Sequence, residues 1–220
     1  AQKDMFLGPE GEVVPGLSDH GAMAVAVPGE PRGLALLLRS HGSLDPATVA
    51  APAIRLAREG FPVGTALAEA SIAWSSAHGD ALFPQLFDGV TVPPSEGQVV
   101  RREALARTLE AWATSDGEAL YTGPQAAALA KGMVATGGLI TRDDLEAYHP
   151  VMRRPLVGRY RDWTIVTMPP PSSGGLVILQ VLRVLEAWPS PGRALLTPVV
   201  VHRTVEASKH AFADRARWMG

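Results

Sequence analysis

Apolar positions recur at helical spacing along most of this chain. Leu34, Leu37 and Leu38 mark one face of a helix predicted over 32–41, with Gly42 ending it. Asp45-Pro46 places a capping carboxylate before a proline in the first turn, so a second helix starts there. Val49, Ala53, Ile54 and Ala57 form its apolar stripe, and Gly60 stops it. A third helix is predicted over 65–75. A fourth covers 101–115, where Leu105, Leu109 and Trp112 fall at i, i+4 and i+7 and Asp116-Gly117 breaks the run. Residues 124–136 are helical up to Gly137-Gly138, and Thr141 with Asp144 three residues on resembles a capping box. A last helix covers 199–218, with Val201, Val205, Ser208 and Phe212 along one face.

Extended segments are few. The small apolar run 22–27 reads as a buried strand or extended segment closed by Pro28-Gly29. Residues 151–160 and 163–168 read as paired strands joined at Arg161-Asp162. Residues 1–21 look irregular. Residues 79–98, rich in proline and glycine, read as a loop with at most short turns, an excursion inside one domain rather than a linker. Helices before and after a hairpin give a helix-rich α+β arrangement, a single domain over 1–220.

The second predicted strand runs into Pro169-Pro170-Pro171-Ser172-Ser173-Gly174-Gly175 and then an amphipathic helix with Val177, Val181, Val184, Leu185 and Trp188 on one face. Three prolines each fix φ and lack an N–H, so neither ladder nor helix passes through them. Ser173 is placed to cap the helix, and the glycines let another backbone approach closely.

Composition narrows the function classes. The 220 residues suffice for one sizeable core, and the net charge is −2 without basic clustering, which speaks against nucleic acid and anionic membranes as partners. No apolar run is long enough for a bilayer span. The chain has no cysteine, hence no disulfide, thiol nucleophile or cysteine-held metal. No signal peptide is visible.

Candidate chemistry is sparse. Ser172 and Ser173 with the N–H groups of a helix start could hold an anion or oxyanion, or could serve as cap and packing residues. Asp143-Asp144 could be paired acids, or caps at a helix start. Asp214-Arg215 could touch substrate, or anchor the last helix to a neighbouring element. The histidines make no metal motif: His202 and His210 stand eight apart, and His20, His41, His78 and His149 fall in loops or at helix ends. Gly-x-Ser-x-Gly, Gly-x-Gly-x-x-Gly and P-loop patterns are absent. No catalytic residue, metal ligand or cofactor is assigned within these residues.

Met168 to Gly175 closely resembles a signature of the γ-glutamyltransferase family, which includes γ-glutamyl peptidases and some cephalosporin acylases. Ala26-Val27-Pro28-Gly29-Glu30 with Gly33-Leu34-Ala35 resembles that family too. So do the runs 51–61 and 137–145, and Ala213-Asp214-Arg215, in the family's order from Lys3-Asp4-Met5-Phe6 onward. The resemblance implies the four-layer αββα sandwich of N-terminal nucleophile hydrolases, of which this chain would be the C-terminal part of the large subunit. It implies a precursor that cuts itself, and a partner small subunit whose new N-terminal threonine is nucleophile and whose α-amine is base. The substrate would be a γ-glutamyl compound such as glutathione, attacked to give an acyl-enzyme. The family's oxyanion-hole serines lie in that later subunit, in a different run from Ser172-Ser173. The arginine gripping the substrate's α-carboxylate should lie upstream of Ala1. Two alternatives stay open: a glutaryl or cephalosporin acylase on the same scaffold, and a non-catalytic interaction module. The compartment is left open between periplasmic or extracellular, common in the family, and cytoplasmic.

Overall fold

The computed structural model describes residues 4–219 except 191, 193 and 195. Its contacts fall into two compact units, residues 1–150 and 151–220. The first holds α1 (Glu30–His41), α2 (Pro46–Glu59), α3 (Thr65–His78), α4 (Phe83–Leu86), α5 (Glu103–Thr114), α6 (Ala119–Thr122), α7 (Pro124–Thr136) and α8 (Arg142–Ala147), with a two-stranded antiparallel ribbon, β1 (Phe61–Pro62) paired to β2 (Val99–Val100). The second holds the hairpin β3 (Leu156–Tyr160) and β4 (Trp163–Thr167), then α9 (Gly174–Leu185) and α10 (Pro198–Trp218). The helix-rich α+β reading stands.

Capping chemistry places the helix ends where sequence puts them. Asp45 accepts the Thr48 N–H at 2.9 Å and the Thr48 hydroxyl at 2.7 Å, starting α2 at Pro46. Gly137, at φ 74°, ends α7 in the left-handed conformation that a side chain resists. Next to it, a Cβ on Gly138 would press on the Ala22 Cβ at 3.0 Å and on the Met133 thioether. Thr141 and Asp144 make the complete capping box of α8, and Leu145 behind it is fully buried with Ala126 and Ile140. The run 137–145 is thus a structural device from end to end.

That box carries a pH dependence. Hydrogen bonds from the Thr141 hydroxyl and backbone hold the Asp144 carboxyl below its ordinary value. A carboxyl depressed in the folded state stabilises fully above its unfolded pKa of about 4, and the contribution fades as pH falls through the lower folded value. Replacing Thr141 with Val should flatten that acid limb. Stability measured against pH from neutrality to acid should show a shallower decline for the variant, and identical slopes would refute the coupling.

Residues 79–98 are loop plus one helical turn, as their composition suggests, and they supply Phe83, Phe87 and Val90 to the core built with Val63 and Val100. Two corrections concern what lies buried. Leu34 and Leu37 stay exposed on α1, whose buried positions are Arg32 and Ala35. On α10, Val201, Val205 and Phe212 are exposed while Ala207 and Ala211 are buried, because close approach of α9 selects small residues. Two boundaries also move. Residues 22–27 form a 3₁₀ turn at Ala22–Ala24 and an unpaired segment, not a strand. The hairpin starts at Leu156, after Pro155, whose missing N–H cannot join a ladder.

Candidate functional site

The strand-to-helix junction of the second unit is built by contact rather than by capping. Gly175 is buried, and a Cβ there would overlap the Met168 carbonyl oxygen and meet the Thr167 methyl at 3.0 Å. The first turn of α9 therefore rests directly on the end of β4. Gly158 on β3 likewise makes room for Leu179 of α9. Gly175→Ala should cost about 2 kcal/mol through this overlap, read by equilibrium unfolding in urea, whereas Gly174→Ala, whose Cβ would meet only the Ser172 hydroxyl at an ordinary 3.6 Å, should change little. Equal costs would contradict the packing argument.

The serines do not cap as their position suggests. Ser173 sits at the N-cap with αR backbone and no side-chain cap bond. Its hydroxyl instead accepts from Arg215 Nε at 2.8 Å, and Ser172 Oγ accepts the Gly174 N–H at 3.4 Å. Asp214 accepts from the Gln180 amide. The pair Asp214-Arg215 thus anchors α10 to both ends of the adjacent stretch of α9, the structural alternative of the sequence reading. At the hairpin turn, Arg161 has φ 53°, and its N–H and its Nη2 donate to Glu186 and the Trp188 carbonyl, each at 2.8 Å. Hydrogen bonds from the Arg161 N–H and the Arg183 side chain hold the Glu186 carboxyl below its usual range.

The first unit has its own polar centre, which sequence reasoning missed. Arg32 is buried on α1, forks onto Glu118 at 3.1 and 2.6 Å, and donates to the carbonyls of Leu145, Glu146 and Tyr148. Its guanidinium lies 4.1 Å from the centre of the Tyr121 ring. The Tyr121 hydroxyl donates to the Pro28 carbonyl at 2.5 Å, and burial pushes this phenol up. Trp112 Nε1 donates to Pro31 at 2.8 Å. Gly29 faces the Tyr148 hydroxyl too closely for any Cβ. No hydropathy signal marks Arg32; the one clue was its place inside the motif-bearing run 26–35.

These arrangements tie the elements of each unit together. Ser173 has a guanidinium where a nucleophile needs a base. Asp144 is consumed by its cap, and Asp143 lies exposed beside it. His202 and His210 are exposed on α10, and His20 packs near His78 with ring centres 5.8 Å apart. A cavity of about 570 Å³ in the second unit offers hydroxyls from Ser190, Thr197 and Thr204, and among the described residues its lining contains no histidine or carboxylate. Charge is divided unevenly: residues 151–220 hold ten arginines and lysines against four acids, and residues 1–150 hold ten against eighteen. The near-neutral total conceals this division.

The chain is 34% identical to the glutathione hydrolase proenzyme of Escherichia coli over 226 residues, which is 100% of this chain and 38% of that protein. It is 39% identical over 198 residues to the acylase ACY 1 proenzyme of a Pseudomonas species, covering 89% of this chain and 35% of the relative. The chain thus spans less than half the length of these curated relatives. Among solved structures, Helicobacter pylori gamma-glutamyltranspeptidase superposes with a TM-score of 0.91 at 33% identity, covering 100% of this chain and 64% of that one. A cephalosporin acylase from Bacillus halodurans superposes at 0.79 with 32% identity, covering 88% of this chain and 37% of that one. The gamma-glutamyltranspeptidase sequence model matches residues 1–220, from the first residue to the last, and the chain belongs to that family.

Proposed function

We propose that residues 1–220 are the scaffold portion of the large subunit of an autoprocessed γ-glutamyltransferase or glutathione hydrolase. The reaction is cleavage of a γ-glutamyl amide. A threonine hydroxyl on a downstream segment, freed as an N-terminus by self-cleavage, adds to the carbonyl carbon while its own α-amine takes the proton. The amine leaving group departs protonated, and water or an amino acid then takes the acyl group from the threonine ester. Within this scheme the present residues form one domain of the four-layer αββα sandwich.

The observation that carries the reading is the relation of lengths. The stretch that fills 38% of a glutathione hydrolase proenzyme fills 64% of a single chain in the H. pylori structure, as expected where the mature family member is in two pieces. Surface supports it. The chain presents 14935 Å² to solvent, whereas two separate globules of 150 and 70 residues would show about 11,500 Å² together. On the hairpin, Val157, Val166 and Met168 are 62 to 64% exposed, and β3 and β4 have no other strand beside them among the described residues. The inner face of this ribbon packs on α9 through Gly158, while the outer face carrying Val157 and Val166 stays open to a covering partner. The cationic excess of residues 151–220 suits anionic γ-glutamyl substrates.

Expressing the full-length precursor tests this. It should cut itself into two chains and release the chromophore from a γ-glutamyl anilide, and alanine in place of the newly exposed threonine should abolish both. A precursor that stays whole and inert refutes the reading. The acylase reading has its own support in the 39% identity to the acylase ACY 1 proenzyme. Turnover of glutaryl anilide with none of γ-glutamyl anilide would select it.

A further inference from the structure

Two guanidinium groups face one cavity of the second unit without a counter-ion. Arg161 at the hairpin turn and Arg203 on α10 both line the hollow of about 570 Å³, and among the described residues no carboxylate joins them. Acids near by are engaged or turned elsewhere. Glu186 takes the Arg183 side chain and the Arg161 backbone N–H, Glu206 takes Lys209, and Asp162 stands exposed in the turn, outside the lining. Trp188 brings the two cations together. Its carbonyl accepts from Arg161 Nη2 at 2.8 Å, and its ring centre lies 5.0 Å from the Arg203 guanidinium. Neither cation is used up by this. Arg161 Nε is buried with no acceptor among the described residues, an open donor of a kind that folded proteins rarely keep without a use. Stacking holds Arg203 by its face and leaves the N–H groups round its edge free to donate. The start of α10 adds more donors. Thr197 makes no side-chain cap, the first turn holds no acid, and Val201 is the residue whose N–H reaches back to the Thr197 carbonyl, at 3.0 Å. The Val199 and Val200 N–H groups precede that bond, and both residues line the cavity.

We propose that this cavity binds a small carboxylate with an apolar body, its head held by Arg161 and Arg203 at the start of α10 and its body against Trp188 and Leu185. A carboxylate offers two acceptor oxygens in one plane, which is what a guanidinium edge matches. The remaining wall is apolar, with Tyr160 and Leu185 beside the two valines, so a bare inorganic anion would gain nothing from most of it. The volume is that of an ordinary small-molecule site. The assignment does not rest on the enzyme reading, which places its nucleophile and its substrate's arginine outside residues 1–220.

Octanoate, titrated calorimetrically into the full-length protein, is the probe. It should bind once per chain with a Kd of about 100 µM or tighter. Octanol, the same body without the charge, and inorganic phosphate, charge without the body, should each bind at least about tenfold more weakly. Arg203→Gln should weaken octanoate by about tenfold or more and leave octanol unchanged. Val199→Trp is the second variant. Val199 is exposed on the cavity wall, so a large side chain there fills the hollow with both arginines in place. It should abolish octanoate binding while the melting temperature stays within about 2 °C of wild type. No heat from octanoate at about 10 mM overturns the proposal, and a cavity filled by other segments of the protein would give that result. Octanol or phosphate matching octanoate overturns it too, as does octanoate binding that either variant leaves unmoved. An enzyme that turns over γ-glutamyl anilide but ignores octanoate loses this site and keeps its function; an inert protein that binds octanoate does the reverse.

Discussion

Incubated alone with a γ-glutamyl anilide, the 220-residue chain should release no chromophore above the uncatalysed background. The full-length processed protein should turn the substrate over, so the difference is the whole of the catalysis, typically at least about a millionfold. The argument is chemical before it is genealogical. Acyl transfer from an amide needs a nucleophile with a base in hydrogen-bond reach and donors for the developing oxyanion. Ser173, the best-placed hydroxyl, faces the Arg215 guanidinium at 2.8 Å, which withholds its lone pair and accepts no proton. Asp144 is tied to Thr141, and Asp214 to Gln180. Turnover by the isolated chain, surviving purification to homogeneity and lost on substitution of Ser173, would show that these side chains rearrange into a centre and would overturn the scaffold reading.

What sequence could reveal follows from the range of the forces involved. Helix termini are set by residues next to one another, so Pro124–Thr136, the Asp45 cap and the Thr141–Asp144 box were all legible. Which face a helix buries depends on what lies against it, and hydropathy does not carry that information. The valines and Phe212 of α10 announce a buried face, while α9 packs on Ala207 and Ala211 instead. The apolar face stays open, and so do Leu34 and Leu37 of α1. Of the two readings of the run 22–27, strand or extended segment, the second holds: Val25 is extended without a ladder partner among the described residues. Ser173 was misassigned because cap position alone cannot show that a guanidinium forty-two residues on competes for the hydroxyl. Motif resemblance succeeded where local physics was silent, since it records assemblies larger than the chain in hand.

Arg32→Ala should be the most destabilising single change in the first unit, at about 3–5 kcal/mol. The Arg32 side chain is 7% exposed, and its guanidinium joins three places at once: Glu118 beside α6, the carbonyls that end α8, and the Tyr121 ring. Removing it leaves the Leu145, Glu146 and Tyr148 carbonyls without their shared donor, each a partly or fully desolvated acceptor. It also uncovers the face of the Tyr121 ring, whose hydroxyl still accepts the backbone N–H of residue 32 and holds Pro28. The converse variant should be mild. The Glu118 side chain is 45% exposed, water can solvate what it loses, and Glu118→Gln keeps an acceptor for the fork, so about 1 kcal/mol is expected. Arg32→Lys keeps the charge but cannot fork or stack flat, and should fall between. Urea unfolding of the three variants of the full-length protein checks the order. If Arg32→Ala and Glu118→Gln cost the same, the salt bridge and not the carbonyl cluster is what Arg32 provides, and the hub is a surface ion pair that happens to be covered.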